Sequence, residues 1–368
     1  MTRFSTDIAI IGAGMAGASL AAAIGTSAKI VLIEAEDRPG YHATGRSAAF
    51  WSETYGGPDV QPLTTASFQF LEALHVLSPR GAITIAQDGD EARLDQFLGQ
   101  FARSGVTLEQ IGRAELQGLF PALRRGWNSG VREESTCDID VAALHAHYLS
   151  QARRTGTELL LSQRVSGLHY DGAAWSVSTL HHEVTAPIIV NAAGAWASQV
   201  GQMADALPID IAPFRRTVLQ ALIDPPASPN MPLVIDAASS IYAKPIGSGR
   251  IWFSPHDETA AEAGDAAPEE IDVALAIDRL EQLMDWRIER IEHKWAGLRS
   301  FAPDRRPVYG FDARAPGFFW FAGQGGFGIQ TAPAAALLAV AQLLKAAPHS
   351  AVASIDAKLY LPERFLPA

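Results

Sequence analysis

The chain has 368 residues, 48% hydrophobic and 19% charged, enough for two domains or for one large α/β core carrying an insertion. Its 40 acidic residues against 29 Lys and Arg leave a net charge of −11, which argues against nucleic acid or an anionic membrane surface as a partner. The single cysteine, Cys137, excludes a disulfide framework, a CxxC redox pair and a thiolate cluster, and neither His145/His147 nor His181–His182 stands at a ligand spacing from a carboxylate or cysteine, so no metal is expected.

The first predicted unit is strand, tight turn, helix, strand over residues 7–36, DIAIIGAGMAGASLAAAIGTSAKIVLIEAE. The continuous apolar run at 8–11 suits a parallel strand covered on both faces, and 16–24 is a helix of small residues. This apolar stretch is broken by glycines, lacks a strongly basic lead and is short for a membrane span, so a cytoplasmic location, at most peripheral to a membrane, is expected.

Gly12, Gly14 and Gly17 make G-x-G-x-x-G at the strand-to-helix turn. The first glycine permits the turn, the second lets the backbone approach a pyrophosphate, and the third lets the helix pack closely on the strand. Met15 and Ala16 then open a helix whose free N–H groups favour an anion. Glu34, followed by Ala35, closes the second strand where a carboxylate would accept hydrogen bonds from an adenosine ribose and repel a 2′-phosphate. Behind this unit comes RPGYHATGRSAAF (38–50), in which Thr44, Arg46 and Ser47 could donate hydrogen bonds along a bound dinucleotide and Gly45 permits close approach.

Further along, 91–103 and 113–120 read as helices, and 138–156 as a helix capped by an Asp and ending at Gly156. Residues 157–196 read as short strands with a turn at Asp171–Gly172 and a buried strand, IIVNAAG. From 212 to 255 the pattern is period-two strands with Pro and Gly turns, 257–270 reads as a mobile surface loop, and 268–286 as an amphipathic helix. The end, 318–344, reads strand, glycine turn, helix. Parallel α/β material thus brackets antiparallel material. The expected fold class is α/β plus α+β, a Rossmann-like nucleotide domain (1–78, 138–205, 300–368) with an inserted antiparallel-sheet substrate domain (79–137, 206–299).

Gly323, Gly325 and Gly328 repeat G-x-G-x-x-G near the end, with no second strand and terminal acid after them. That argues against a second dinucleotide and fits a helix N-terminus aimed at the partly negative N1 and C2 carbonyl of a reduced flavin. Two glycine turns serving the two ends of one FAD is the economical account; an NAD-dependent dehydrogenase is the rival, and would purify colourless.

The opening unit, GYHATGRSAAF, RVSGL, IIVNAAGAW, WAGLRSFAPDRRPV and GQGGFGIQT occur in that order. In this ordered set the chain resembles, over nearly its whole length, the FAD-dependent D-amino acid oxidase-like family, which includes glycine oxidase, sarcosine oxidase and bacterial D-amino acid dehydrogenases. The segments are most similar to those of the D-arginine dehydrogenase type. The resemblance implies an antiparallel sheet roofing the flavin, the Val165 backbone against adenine, and Ala193, Gly194 and Trp196 by the pyrophosphate. It places Gly325, Gly326, Gly328, Ile329 and Gln330 near the flavin, and implies noncovalent FAD because no cysteine stands near Arg299, where sarcosine-oxidase-type members carry their tether.

For the substrate it implies Arg299 and Tyr242 on a carboxylate, Arg216 as a further polar contact, Tyr55 as a lid, and Gly326 beside flavin and substrate. An arginine in an otherwise apolar strand also suits a bidentate carboxylate on physical grounds. Of Arg215 and Arg216, one is expected to be solvated, and Arg80 to be exposed. Ala82 stands where members acting on cationic D-amino acids carry an acid, Phe50 where they carry a histidine, and Leu233 and Ile235 fill two more side-chain positions. A cationic tail would lack a counter-ion, so an apolar D-amino acid is expected, oxidised to an imino acid by hydride transfer to flavin N5 and hydrolysed to a 2-oxo acid and ammonia. The alternatives are a 2-hydroxy acid or N-methyl amino acid as donor, or a flavin-binding module without turnover. The electron acceptor (oxygen, a quinone or another) is left open by the sequence.

Overall fold

The computed structural model describes residues 2–367. Its nucleus is a six-stranded sheet in the order Glu158–Leu160, Ile30–Ile33, Ile8–Ile11, Ile188–Asn191, Phe318–Ala322, Val308–Phe311. The first five strands are mutually parallel and the last, at the edge, is antiparallel. Every residue of the two isoleucine-rich strands is buried, as the continuous apolar runs require. The small-residue helix Met15–Ile24 packs on one face beside the helices Val141–Arg154 and Ala332–Leu343. Close packing is possible because Gly17 has no Cβ: one would lie 1.9 Å from the Gly12 carbonyl oxygen. A four-stranded sheet, from Thr2–Ser5, His182–Ala186, Trp175–Thr179 and Val165–Tyr170, covers the other face, with Trp175, Val177 and Val184 in one core with Val31 and Ile189.

A larger mixed sheet carries the strands Ala82–Gln87, Glu109–Gly112, Trp127–Glu133, Ala212–Asp224, Leu233–Asp236, Tyr242–Gly247, Arg250–Ser254 and Arg287–Phe301, and the short strand Gln324–Gly325 joins its edge. Period-two alternation gives it two distinct faces. Ile83, Ile85, Leu219, Ala221, Val234 and Phe253 point to one side and form a core with the helix Glu270–Leu283. On the other side stand Glu133, Ala82, Leu233, Ile235, Tyr242, Arg216 and Gly297, joined by cross-strand pairing. That second face turns toward the nucleotide end of the six-stranded sheet.

Four details differ from the sequence expectations. The helix expected from 138 starts at Val141, because Cys137–Ile139 is the middle strand of a small sheet with Phe50–Trp51 and Leu77–Pro79; the cap is Asp140, accepting from the Ala143 N–H at 2.9 Å. The strands Ala82–Gln87 and Leu233–Asp236 pair in parallel within otherwise antiparallel surroundings. The C-terminal helix does not open at the glycines but at Ala332, after a run of turns. Finally, 257–270 is a strap anchored along its length: Thr259–Ala260 pairs with Phe214 and Arg215, and Asp257 accepts from the Thr217 N–H at 2.7 Å. Acidic runs read as loops from composition alone, and here Asp257, Glu258, Asp265 and Glu269 pair with arginines that lie far away in sequence.

Candidate active site

A long cavity starts at the carboxyl ends of the parallel strands and runs to the second face of the mixed sheet. At its start the Gly12 backbone has φ of 105°, and a Cβ there would lie 2.4 Å from the Ala192 carbonyl oxygen, so only glycine fits. Gly14, Met15 and Ala16 form the cavity wall where the helix opens. Thr44 faces the same turn and its hydroxyl oxygen accepts the Met15 N–H at 3.0 Å. Glu34 is buried, accepting from the Ala13 and Glu36 N–H groups at 3.0 Å each, which holds its carboxylate at the strand end and leaves lone pairs free. Ala35, Val165, Ala193, Gly194 and Trp196 complete this end.

Three residues here were not singled out from the sequence. Glu36, Tyr41 and His42 also line the cavity, with the His42 ring 4.7 Å from Trp196 and its Nε2 3.0 Å from Glu36. The other ring nitrogen of His42, Nδ1, is buried without a protein partner. The nearby motif GYHATGRS contained the histidine, but nothing in its spacing marks it as facing a ligand.

Arg46 and Ser47 line the middle of the cavity, while the Arg46 guanidinium turns to the strap. It pairs with Asp265 and donates to the carbonyls of Ala266 at 2.8 Å and Ala296 at 3.2 Å. Gly45 packs internally, since a Cβ would lie 2.6 Å from the Gly40 carbonyl oxygen. Arg46 therefore ties the loop to the strap and sheet.

At the far end Arg216, Tyr242 and Arg299 share the wall with Gly325, Gly326, Gly328 and Ile329. The Arg299 guanidinium carbon sits 5.7 Å from the Tyr55 ring centre. A Cβ on Gly326 would lie 2.1 Å from the Tyr55 hydroxyl oxygen and 3.0 Å from the Arg299 guanidinium carbon, so these three residues converge on one point. Among the described residues no carboxylate lies within ion-pair distance of Arg299, and no protein acceptor takes its N–H groups. Arg216 is buried at 4% exposure and differs: its Nε donates to the Asp257 carbonyl at 2.7 Å and its Nη2 reaches Glu258 at 3.3 Å, while Nη1 has no partner. Burial, and then the charge of Arg299, lower the pKa of Arg216 to about 10. Burial raises the Tyr242 phenol above its usual range, so it remains a neutral donor. His256 lies edge-on to Tyr242 at 5.7 Å, and burial, with Arg216 and Arg299 nearby, pulls its pKa down to about 2.

Beside this point Ala82, Leu233 and Tyr242 form a small apolar cluster with Phe50 and Ile235. Two arginine expectations are corrected here. Arg215 is not solvated: it is buried and pairs with Glu269 and, at 2.9 Å, with Asp272. Arg80 is not exposed: it pairs with Asp138, which Lys244 also reaches at 2.6 Å, and donates to the Pro229 carbonyl at 2.8 Å. Gln330, 1% exposed, lies behind the wall, donating to the Tyr55 carbonyl at 3.0 Å and the Thr64 hydroxyl at 2.9 Å and accepting from the Ser52 N–H at 3.2 Å.

The cavity's shape, a glycine cradle and helix start at one end and a second glycine turn at the other, is that of a site for an extended dinucleotide. The model of the family DAO, FAD dependent oxidoreductase, matches residues 7–342. The chain belongs to this family. Its cofactor is FAD. The hydrogen cyanide synthase subunit HcnC of Pseudomonas aeruginosa is 25% identical over 296 residues, covering 77% of this chain and 66% of that protein. Human mitochondrial dimethylglycine dehydrogenase is 30% identical over 215 residues, 54% of this chain and 24% of that protein. The chain spans less than two thirds of the length of these curated relatives. Glycine oxidase from Geobacillus kaustophilus superposes with a TM-score of 0.82 at 20% identity, over 96% of this chain and 99% of that one. L-proline dehydrogenase from P. horikoshii gives 0.83 at 20% identity, over 99% and 98%. These structural likenesses carry the fold. Among the described residues no helix is long and apolar enough to cross a membrane.

Proposed function

We propose that the protein oxidises a D-amino acid with an uncharged, apolar side chain to the imino acid, using noncovalently held FAD. The observation that carries the reading is the Arg299 guanidinium, which faces the cavity beside Tyr55, Tyr242 and Gly326 with no carboxylate of its own. A half-buried guanidinium without a counter-ion calls for an anion, and its planar fork suits a carboxylate.

The residues present fit the cofactor: Gly12 is a cradle that a Cβ would fill, Glu34 is held at the strand end, and the cavity continues without a break to Gly326. Gly12, Gly14 and the first turn of the helix would take the pyrophosphate, Glu34 the ribose, and the 325–329 turn the flavin side. When bound, FAD supplies the two-electron acceptor for the substrate α-carbon. The chain's own part is positioning. Arg299 and Tyr242 hold the carboxylate, Arg216 adds positive potential from its buried place, and the Phe50–Ala82–Leu233–Ile235 cluster receives the side chain. Burial keeps the Tyr242 phenol protonated, as a hydrogen-bond donor, and gives the neutral His256 imidazole a low proton affinity, which makes it a weak base.

The two solved neighbours are a glycine oxidase and an L-proline dehydrogenase, so the D configuration rests on the resemblance of the motif segments. The test is anaerobic mixing of the purified yellow protein with D- and L-amino acids, 2-hydroxy acids and N-methyl amino acids, following flavin bleaching. Bleaching by apolar D-amino acids, lost in Arg299→Ala with FAD still bound, is the expected result. Normal catalytic efficiency in Arg299→Ala would overturn the carboxylate assignment. Readmitting air then separates an oxidase from a dehydrogenase.

A further inference from the structure

Ala82 leaves the side-chain cluster without an acid, yet an acid stands directly across the ladder from it. Glu133 pairs with Ala82 in the antiparallel strands and, by alternation, shares its face of the sheet. It is 3% exposed. Its carboxylate does not address the cluster as a free charge, because three donors from one turn consume it: the Ser52 hydroxyl at 3.0 Å, the Glu53 N–H at 2.6 Å and the Thr54 hydroxyl at 2.5 Å. The next residue is Tyr55, which stands over Arg299.

A second buried side chain also grips the same turn. Gln330 accepts the Ser52 N–H and donates to the Tyr55 carbonyl, so the backbone is held on both flanks of the two residues between. The turn itself needs this help. It ends at Gly56 with φ of 102° and lies outside any helix or strand, with a long Tyr55 N–H to Ser52 carbonyl contact at 3.3 Å. Desolvation raises the Glu133 carboxyl above its ordinary range even against these three hydrogen bonds. A buried acid is costly, and here the cost is offset by fixing one aromatic residue.

We propose that Glu133 is a positioning residue of the active site, which acts through the 52–54 turn to set Tyr55 against Arg299 and Gly326. The inference rests on the reading of Arg299 as the carboxylate site. It has the sheet fix the backbone from which the Tyr55 phenol reaches that site. It also explains how an acid can lie next to the side-chain cluster without recruiting a cationic substrate.

The experiment uses the holoenzyme and two carboxylates with no oxidisable α-amino group, acetate and benzoate, titrated by the perturbation of the flavin spectrum. Wild type is expected to bind at least one of them and Arg299→Ala to bind neither. Glu133→Gln keeps the shape of the side chain but halves its acceptors, and is expected to weaken binding about tenfold, a typical coupling between members of one network. In a Tyr55→Ala background the same substitution is expected to have no further effect, because the residue it acts through is gone. Thr54→Val, which removes one donor from the other side of the contact, carries the same two expectations and serves if Glu133→Gln does not fold. Binding by Glu133→Gln equal to wild type, or losses that multiply in the double variant, would overturn the proposal while leaving the Arg299 reading intact. Failure of wild type to bind either carboxylate would overturn both.

Discussion

Gly326→Ala isolates geometry from stability at the point where the proposed substrate-binding residues meet. The added Cβ would lie 2.1 Å from the Tyr55 hydroxyl oxygen, and ordinary contact begins at 3.4 Å, so the phenol must retreat by roughly 1.3 Å. The Arg299 carbon and Nε, at 3.0 and 3.1 Å, must each give by a few tenths of an ångström. Gly326 is not among the positive-φ glycines, so alanine suits the backbone and gains about 0.4–1 kcal/mol from the unfolded state. The displaced atoms are the ends of flexible side chains, so the net effect on folding is small. The effect on function is not. A displacement of about 1 Å at groups that orient a substrate costs about 100-fold, or about 2.7 kcal/mol of transition-state stabilisation. The assay is kcat/KM with the best substrate from the amino-acid panel, beside melting temperature and the flavin content of the purified variant. The expected result is a fall of about two orders of magnitude with melting temperature and FAD unchanged. A wild-type kcat/KM would refute the convergence of Tyr55, Gly326 and Arg299 on one substrate. A loss that tracks lost FAD or lower melting would refute the separation of geometry from stability.

Gly12→Ala should behave in the opposite way: its Cβ meets the Ala192 backbone at 2.4 Å with φ of 105°, neither of which can relax cheaply, so FAD content and melting temperature are expected to fall together. His256 makes stability depend on pH. The unfolded imidazole takes a proton near pH 6.5 and the folded one only near pH 2, so the folded state loses stability as pH falls below about 6.5, by up to about 2 kcal/mol at about pH 5. His256→Gln is expected to flatten the melting temperature against pH over that interval; an unchanged slope would show that the folded imidazole accepts its proton normally.

The nucleotide end was legible because its signals are local. Gly12, Gly14, Gly17 and Glu34 lie within one βαβ unit, and each has a steric or electrostatic reason that spacing reveals. The arginines were not legible from spacing. Arg46 is spent on Asp265, 219 residues away, Arg80 on Asp138, 58 away, and Arg215 on Asp272, 57 away. A lone guanidinium in a sequence looks equally free whether or not a carboxylate awaits it across the fold. The same limit hid Glu133, whose meaning depends on the register that sets it opposite Ala82 and on a turn 79 residues earlier. The 257–270 strap was misread for the complementary reason: its acids looked solvated because their arginines lay elsewhere.

Taken together, these pairings bear on the charge of the proposed substrate. Arg216 faces Asp257 and Glu258, Lys244 and Arg80 share Asp138, and Glu133 is consumed by its own turn. Arg299 is left unmatched among the described residues at this end of the cavity. A half-buried cation without an ion-pair partner is best met by one negative charge, and each further unpaired charge brought in would be penalised. A substrate with a single carboxylate, a neutral amine in the reactive form and an uncharged side chain satisfies this balance. A cationic side chain would require an acid at position 82 or the release of Glu133 from Ser52 and Thr54. An Ala82→Glu substitution therefore supplies the missing partner, and it should shift preference toward cationic amino acids in the same bleaching assay; a variant that folds, binds FAD and keeps the wild-type preference would show that side-chain selection lies outside this cluster.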